Sequence, residues 1–84
     1  MTSIGKTSSS LKNKLKIARV THGDLTQQQL ADKVSCSRQT IISIENSKFI
    51  PSIELSLRIA KALGVNVEEI FYLETEGEES DGRI

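Results

Sequence analysis

The sequence predicts an all-α fold, a bundle of five short helices, and three observations carry that prediction. Apolar residues recur at helical spacing throughout the central stretch. Only one proline, Pro51, interrupts the chain. No run alternates apolar and polar residues for long enough to read as a strand. The 84 residues allow one domain, with a core near the lower size limit for unaided folding.

Leu11, Leu15 and Ala18 follow i, i+4, i+7, so a first helix is predicted from about Leu11 to Val20, ended near Gly23, a residue suited to a left-handed stop. Thr26-Gln27-Gln28-Gln29 has capping-box spacing and opens a second helix to about Lys33 that buries Leu30, Ala31 and Val34. After the tight Ser35-Cys36 connection, Ser37 caps a third helix to about Asn46, with Ile41, Ile44 and Glu45 inward. Two short helices joined by so few residues must cross steeply, which is the shape of a helix-turn-helix unit. Ser52 starts a fourth helix, Ile53 to Leu63, stopped by Gly64. Its stripes Ile53-Leu57-Ala60 and Leu55-Ile59-Ala62 together predict a central helix packed on two sides. Asn66-Val67-Glu68-Glu69 resembles another capping box and opens a short fifth helix with Val67, Ile70 and Phe71 on one face.

The flanks read differently. Residues 1–10, MTSIGKTSSS, are small and polar and carry no period, so they are expected to form a flexible arm. Residues 74–84 hold five acids and two glycines and are expected to be an acidic flexible tail. The folded domain is then 11–73. No secretory signal, membrane-spanning run or cysteine pair is visible, which points to the cytoplasm and away from membranes. The net charge of zero hides an asymmetry: residues 1–48 carry eight Lys/Arg against Asp24, Asp32 and Glu45, whereas 49–84 carry three against eight acids. A basic front and an acidic rear suit a chain that offers one face to a polyanion.

In a helix-turn-helix unit the second helix lies in the major groove and presents its first turns to base edges. Here those turns begin Ser37-Arg38-Gln39 and continue with Ile42 and Ser43 on the same side. Arg and Gln are among the few side chains that make bidentate contacts, with guanine and adenine respectively, and a branched Ile suits a thymine methyl. Gln27 stands at the start of the second helix, where free amides and the dipole favour an anion.

The ordered elements TQxxLA, SRQTI, IEN, PS and IAKALGV occur within LTQQQLADKVSCSRQTIISIENSKFIPSIELSLRIAKALGVNVEEIFYLE. The pattern resembles the DNA-binding domain of phage repressor and Cro proteins, the XRE family, over about Leu11 to Leu73. The resemblance implies a lambda-repressor-like bundle and double-stranded DNA as partner. It maps Gln27, Thr40, Asn46 and Lys48 onto positions that grip the sugar-phosphate backbone. It also maps Arg19 and Glu45 onto an ion pair tying the first helix to the third. Lys12, Lys14 and Lys16 crowd the predicted first helix, and Lys6 sits in the arm. Two departures bear on stability: one extra residue, Asp24, lengthens the loop before the second helix, and Ser35 replaces the usual turn glycine.

Cys36 occupies a turn position normally filled by a small apolar residue, so packing is the expected role rather than redox sensing. His22 has no second ligand at metal spacing, and neither a metal nor a cofactor is expected. With no Gly-rich phosphate loop and no nucleophile–base pair, an enzyme is not predicted. The expected function is transcription regulation, most simply repression by occupying an operator. The alternative is an antitoxin that binds a toxin protein and autoregulates through the same domain; a third reading, an adaptor that does not bind DNA, would place acids where Arg38 and Gln39 stand. One recognition helix reads too few base pairs to single out an operator, so a homodimer is expected, with Val67, Ile70, Phe71, Tyr72 and Leu73 as its interface.

Overall fold

The structure, a computed structural model, describes residues 10–74. The expected arm and tail, apart from Ser10 and Glu74, lie outside the described residues. Element order is β1 (Leu11–Asn13), α1 (Leu15–Ala18) continuing into a π-helical turn (Arg19–Gly23), α2 (Gln27–Val34), α3 (Arg38–Glu45), α4 (Ile53–Leu63), a 3-10 turn (Val67–Glu69) and β2 (Phe71–Leu73).

The fold is mainly helical, but among the described residues it has four α-helices where five were expected, and its two short strands form a ribbon. β1 and β2 pair antiparallel, with Leu11 opposite Leu73, Lys12 opposite Tyr72 and Asn13 opposite Phe71. The first helix therefore starts later than its period suggests. Asn13 explains the start: its Oδ1 accepts the Leu15 N–H at 3.0 Å, while its Nδ2 donates to the Ile44 carbonyl at 2.9 Å. One side chain thus caps α1 and fastens it to the end of α3. The fifth helix shrinks to a single 3-10 turn because the chain after it is drawn into the ribbon; of its start signal, the Asn66 N–H does donate to Glu69 Oε2 at 2.9 Å.

The helix starts follow local chemistry. Thr26 Oγ1 accepts the Gln29 N–H and Gln29 Oε1 accepts the Thr26 N–H, a full capping box. Ser37 and Ser52 cap α3 and α4 by accepting the Thr40 and Leu55 N–H groups. The helix ends share a left-handed residue: Ser35 (φ 63°), Ser47 (φ 60°) and Gly64 (φ 72°) follow α2, α3 and α4. In each case the next amide turns back, from Cys36 to Ala31 O, Lys48 to Ser43 O and Val65 to Ala60 O, which satisfies otherwise orphaned carbonyls.

The left-handed residue after the first helix is Asp24 (φ 48°), not Gly23. Gly23 is closely packed instead: a Cβ there would lie 2.9 Å from Leu63 Cδ2 and 3.0 Å from Leu25 Cδ1, so those side chains would have to shift. The extra residue ahead of α2 is taken up within the π turn, where the Asp24 N–H is shared by the Arg19 and Val20 carbonyls.

Leu15, Leu30, Ile41, Ile44, Ile59 and Ile70 form the fully buried centre, with Ala18, Ala31, Val34, Ala60 and Leu63 around them. On α4 the expectation of packing on two sides fails. Ile59, Ala60 and Leu63 are buried, whereas Ile53 is 80% exposed and Leu57 53% exposed. Among the described residues, nothing covers Ile53 and Leu57, whereas Leu55, Ile59 and Ala62 pack on the core.

Candidate nucleic-acid interface

The α2–α3 unit sets the geometry. Ile41 and Ile44 lock the inner face of α3 into the core, each contributing about 1.5–3 kcal/mol of burial. The opposite face is thereby held out to solvent in a fixed orientation. Arg38 and Gln39 are exposed on its first turn, and Ile42 and Ser43 are half-buried one turn on. Gln39 Nε2 lies 3.3 Å from Ser43 Oγ, so its amide runs along the helix. Arg38 has no hydrogen-bond or ion-pair partner among the described residues, so its guanidinium is uncommitted.

Ser37 and Thr40 are engaged with each other, their hydroxyls 2.9 Å apart at the cap. Lys48 is placed by the turn that ends α3. Ser47 in the left-handed region sends the chain back, and Lys48 joins Gln39, Thr40, Ser43 and Phe49 around an open hollow of about 240 Å³. This hollow puts a free cation beside the polar side chains of the outward face. Asn46 is exposed at the C-cap of α3. Phe49, on the rim of the same hollow, was not singled out from sequence and is 47% exposed.

Behind this face lies the ion pair. Arg19 Nε donates to Glu45 Oε2 at 2.7 Å and Nη2 to Oε1 at 3.4 Å, while Nη1 donates to the Leu25 carbonyl at 2.8 Å. Gln27 Nε2 adds a donor to Glu45 Oε1 at 3.0 Å. The side chains of Arg19 and Glu45 are only 9% and 4% exposed. Arg19 and Gln27 thus converge on the Glu45 carboxylate from the α1–π junction and the start of α2, and Arg19 also ties in the loop at Leu25. Gln27, at the start of α2, is therefore half-buried with its amide nitrogen engaged.

The three lysines expected on the first helix separate. Lys12 lies in β1 and pairs with Glu74 at 3.4 Å, Lys14 sits 5.4 Å from the Tyr72 ring centre, and only Lys16 is helical. The C-terminal residues expected to form an interface separate too. Ile70 is fully buried in the monomer's own core and offers no surface, which corrects that expectation; Val67 and Phe71 pack partly against the core. Tyr72 and Leu73 remain exposed. Cys36 packs against the core at the α2–α3 turn, and burial raises its thiol pKa, which disfavours the reactive thiolate. His22 is exposed in the π turn. Among the described residues, no cluster of His, Cys, Asp or Glu is arranged to hold a metal ion, and no helix is long and apolar enough to cross a membrane.

Comparison with known proteins agrees with this architecture. A family model described as helix-turn-helix matches residues 15–70. An HTH-type transcriptional regulator of Methanocaldococcus jannaschii is 53% identical over 64 residues, 76% of this chain and 96% of that protein. The regulator YgzD of Bacillus subtilis is 39% identical over 66 residues, 79% of this chain and 98% of its own length. A third HTH-type regulator, from Methanothermobacter thermautotrophicus, is 48% identical over 54 residues, 63% of this chain and 78% of that protein. The match from Leu15 to Ile70 takes in the turn, the outward face of α3 and the Arg19–Glu45 pair behind it, and the chain belongs to the XRE-type helix-turn-helix family.

Proposed function

We propose that this chain is a sequence-specific double-stranded DNA-binding transcription regulator that reads the major groove with α3 and represses by occupying its operator. The observation that carries the reading is the outward face of α3: an uncommitted Arg38 beside an exposed Gln39, on a helix whose other side is locked into the core. In this reading Arg38 and Gln39 make the base contacts of highest information. Ser37, Ile42 and Ser43 complete the face, with Ile42 against a thymine methyl. Lys48 neutralises a phosphate from the hollow, and Thr40, Asn46 and the α2 terminus at Gln27 fix the register along the backbone. The names of the relatives, all HTH-type transcriptional regulators, support the same function. Two chains on one site extend the sequence read beyond what a single α3 covers.

The test is selection of bound duplexes from a random pool with the full chain. Enrichment of a two-fold symmetric motif, its half-sites centred one DNA turn, about 34 Å, apart, is the expected result. A pool that stays random after repeated rounds, while the protein remains folded, contradicts the proposal.

A further inference from the structure

We propose that Asn13 is a positioning residue for DNA binding: through the turn at Ser47 it holds Lys48 where the proposed function needs a cation. Asn13 lies in β1, yet its side chain reaches the end of α3. Its Nδ2 donates to the Ile44 carbonyl at 2.9 Å and lies 3.4 Å from Ser47 Oγ. The same carbonyl accepts the Ser47 N–H at 2.9 Å. One amide thus grips the turn that follows α3 at two points. Ser47 sits at φ 60°, a conformation that an L-residue keeps only where its surroundings hold it. Just beyond it the Lys48 N–H returns to the Ser43 carbonyl at 2.8 Å, and Lys48 lines the hollow with Gln39, Thr40 and Ser43.

Packing alone does not fix this turn. A cavity of about 200 Å³ separates the ribbon from the chain after α3, with Leu11, Asn13, Ile44, Ser47, Phe49 and Phe71 among its walls. Phe49 and Ile50, which follow Lys48, are 47% and 59% exposed, so apolar burial holds them weakly. Asn13 spans that gap with a polar tie. Its Oδ1 is engaged by the Leu15 N–H at 3.0 Å, which fixes the orientation of the amide and aims the donor at α3. Without that donor Ser47 is free to leave the strained left-handed region, and Lys48 leaves the hollow with it.

The inference rests on the proposed function insofar as that reading assigns Lys48 to a phosphate, so its test has one arm without DNA. Asn13→Ser keeps an oxygen to accept the Leu15 N–H and loses the donor to α3. Asn13→Asp does the same at constant shape and serves where Asn13→Ser does not fold, its added charge cancelling in a double-mutant cycle. In nitrogen-15 relaxation of the free full chain, the Ser47 and Lys48 amides are expected to have order parameters of about 0.85 in the wild type and below about 0.6 in either variant, with Arg38 and Thr40 unchanged. On a selected duplex, Asn13→Ser should make the dependence of log affinity on log salt shallower by about one unit, as Lys48→Ala does. Lys48→Ala added to it should change nothing further, whereas Arg38→Ala should still remove discrimination. A folded variant with Ser47 and Lys48 as rigid as in the wild type, or a Lys48→Ala effect undiminished by the loss of Asn13, overturns the proposal. A wild type that binds no duplex contradicts the proposed function instead, and the relaxation arm then decides the tie by itself.

Discussion

Glu45 is a carboxylate on the helix that faces DNA in the proposed function, and its surroundings decide what it does there. With its side chain 4% exposed and with donors from Arg19 and Gln27, it is withdrawn from the outward face and neutralised locally. Removing one partner of such a pair leaves the other charge buried without compensation. Glu45→Ala is therefore expected to lower stability by about 3–5 kcal/mol in denaturant unfolding, a large part of what a small domain has. A loss below about 1 kcal/mol is the behaviour of a solvent-screened surface pair and contradicts this description. The pairing of Arg19 with Glu45 was open to sequence reasoning only through family resemblance. The part played by Gln27 was not, because a glutamine at a helix start has several uses, and only the approach of α2 to α3 selects among them.

The elements were legible where their signals are local. Thr26, Ser37 and Ser52 each cap a helix through their own hydroxyl and an amide three residues on, so the sequence suffices to place those starts. Ser35 was legible through the family resemblance, as a serine where relatives place glycine, and its φ is 63°. An L-residue there is strained by about 1–2 kcal/mol, while glycine loses more chain entropy on folding. Ser35→Gly is thus expected to gain about 0.5–1 kcal/mol net, a rise of a few degrees in melting temperature. An unchanged or lower melting temperature contradicts that balance. The ribbon was not legible. Leu11 also fits the helical period of Leu15 and Ala18, and what decides otherwise is pairing with Phe71–Leu73, distant in sequence. The stripe of Ile53 and Leu57 misled for a related reason: periodicity shows that a face is apolar, not what covers it.

At the scale of the whole molecule, the chain divides labour between a rigid interior and an outward face with free polar groups. The proposed function makes different demands on the cations of that face. Lys48, beside the hollow at the end of α3, is assigned to phosphate. Lys48→Ala is expected to weaken all duplexes alike and to make the dependence of log affinity on log salt shallower by about one unit. A sequence-dependent loss at constant slope would instead place Lys48 at a base. Arg38 and Gln39 should behave in the opposite way. Both are exposed in the free protein, so their truncation should scarcely move the melting temperature. The most direct measurement of the central claim compares wild type, Arg38→Ala and Gln39→Ala for affinity to a selected duplex and to a scrambled one of equal length. Each variant is expected to lose roughly 1–3 kcal/mol on the selected duplex and far less on the scrambled one, so that discrimination collapses. Full affinity and full discrimination retained by both folded variants would show that α3 does not read the sequence through this face.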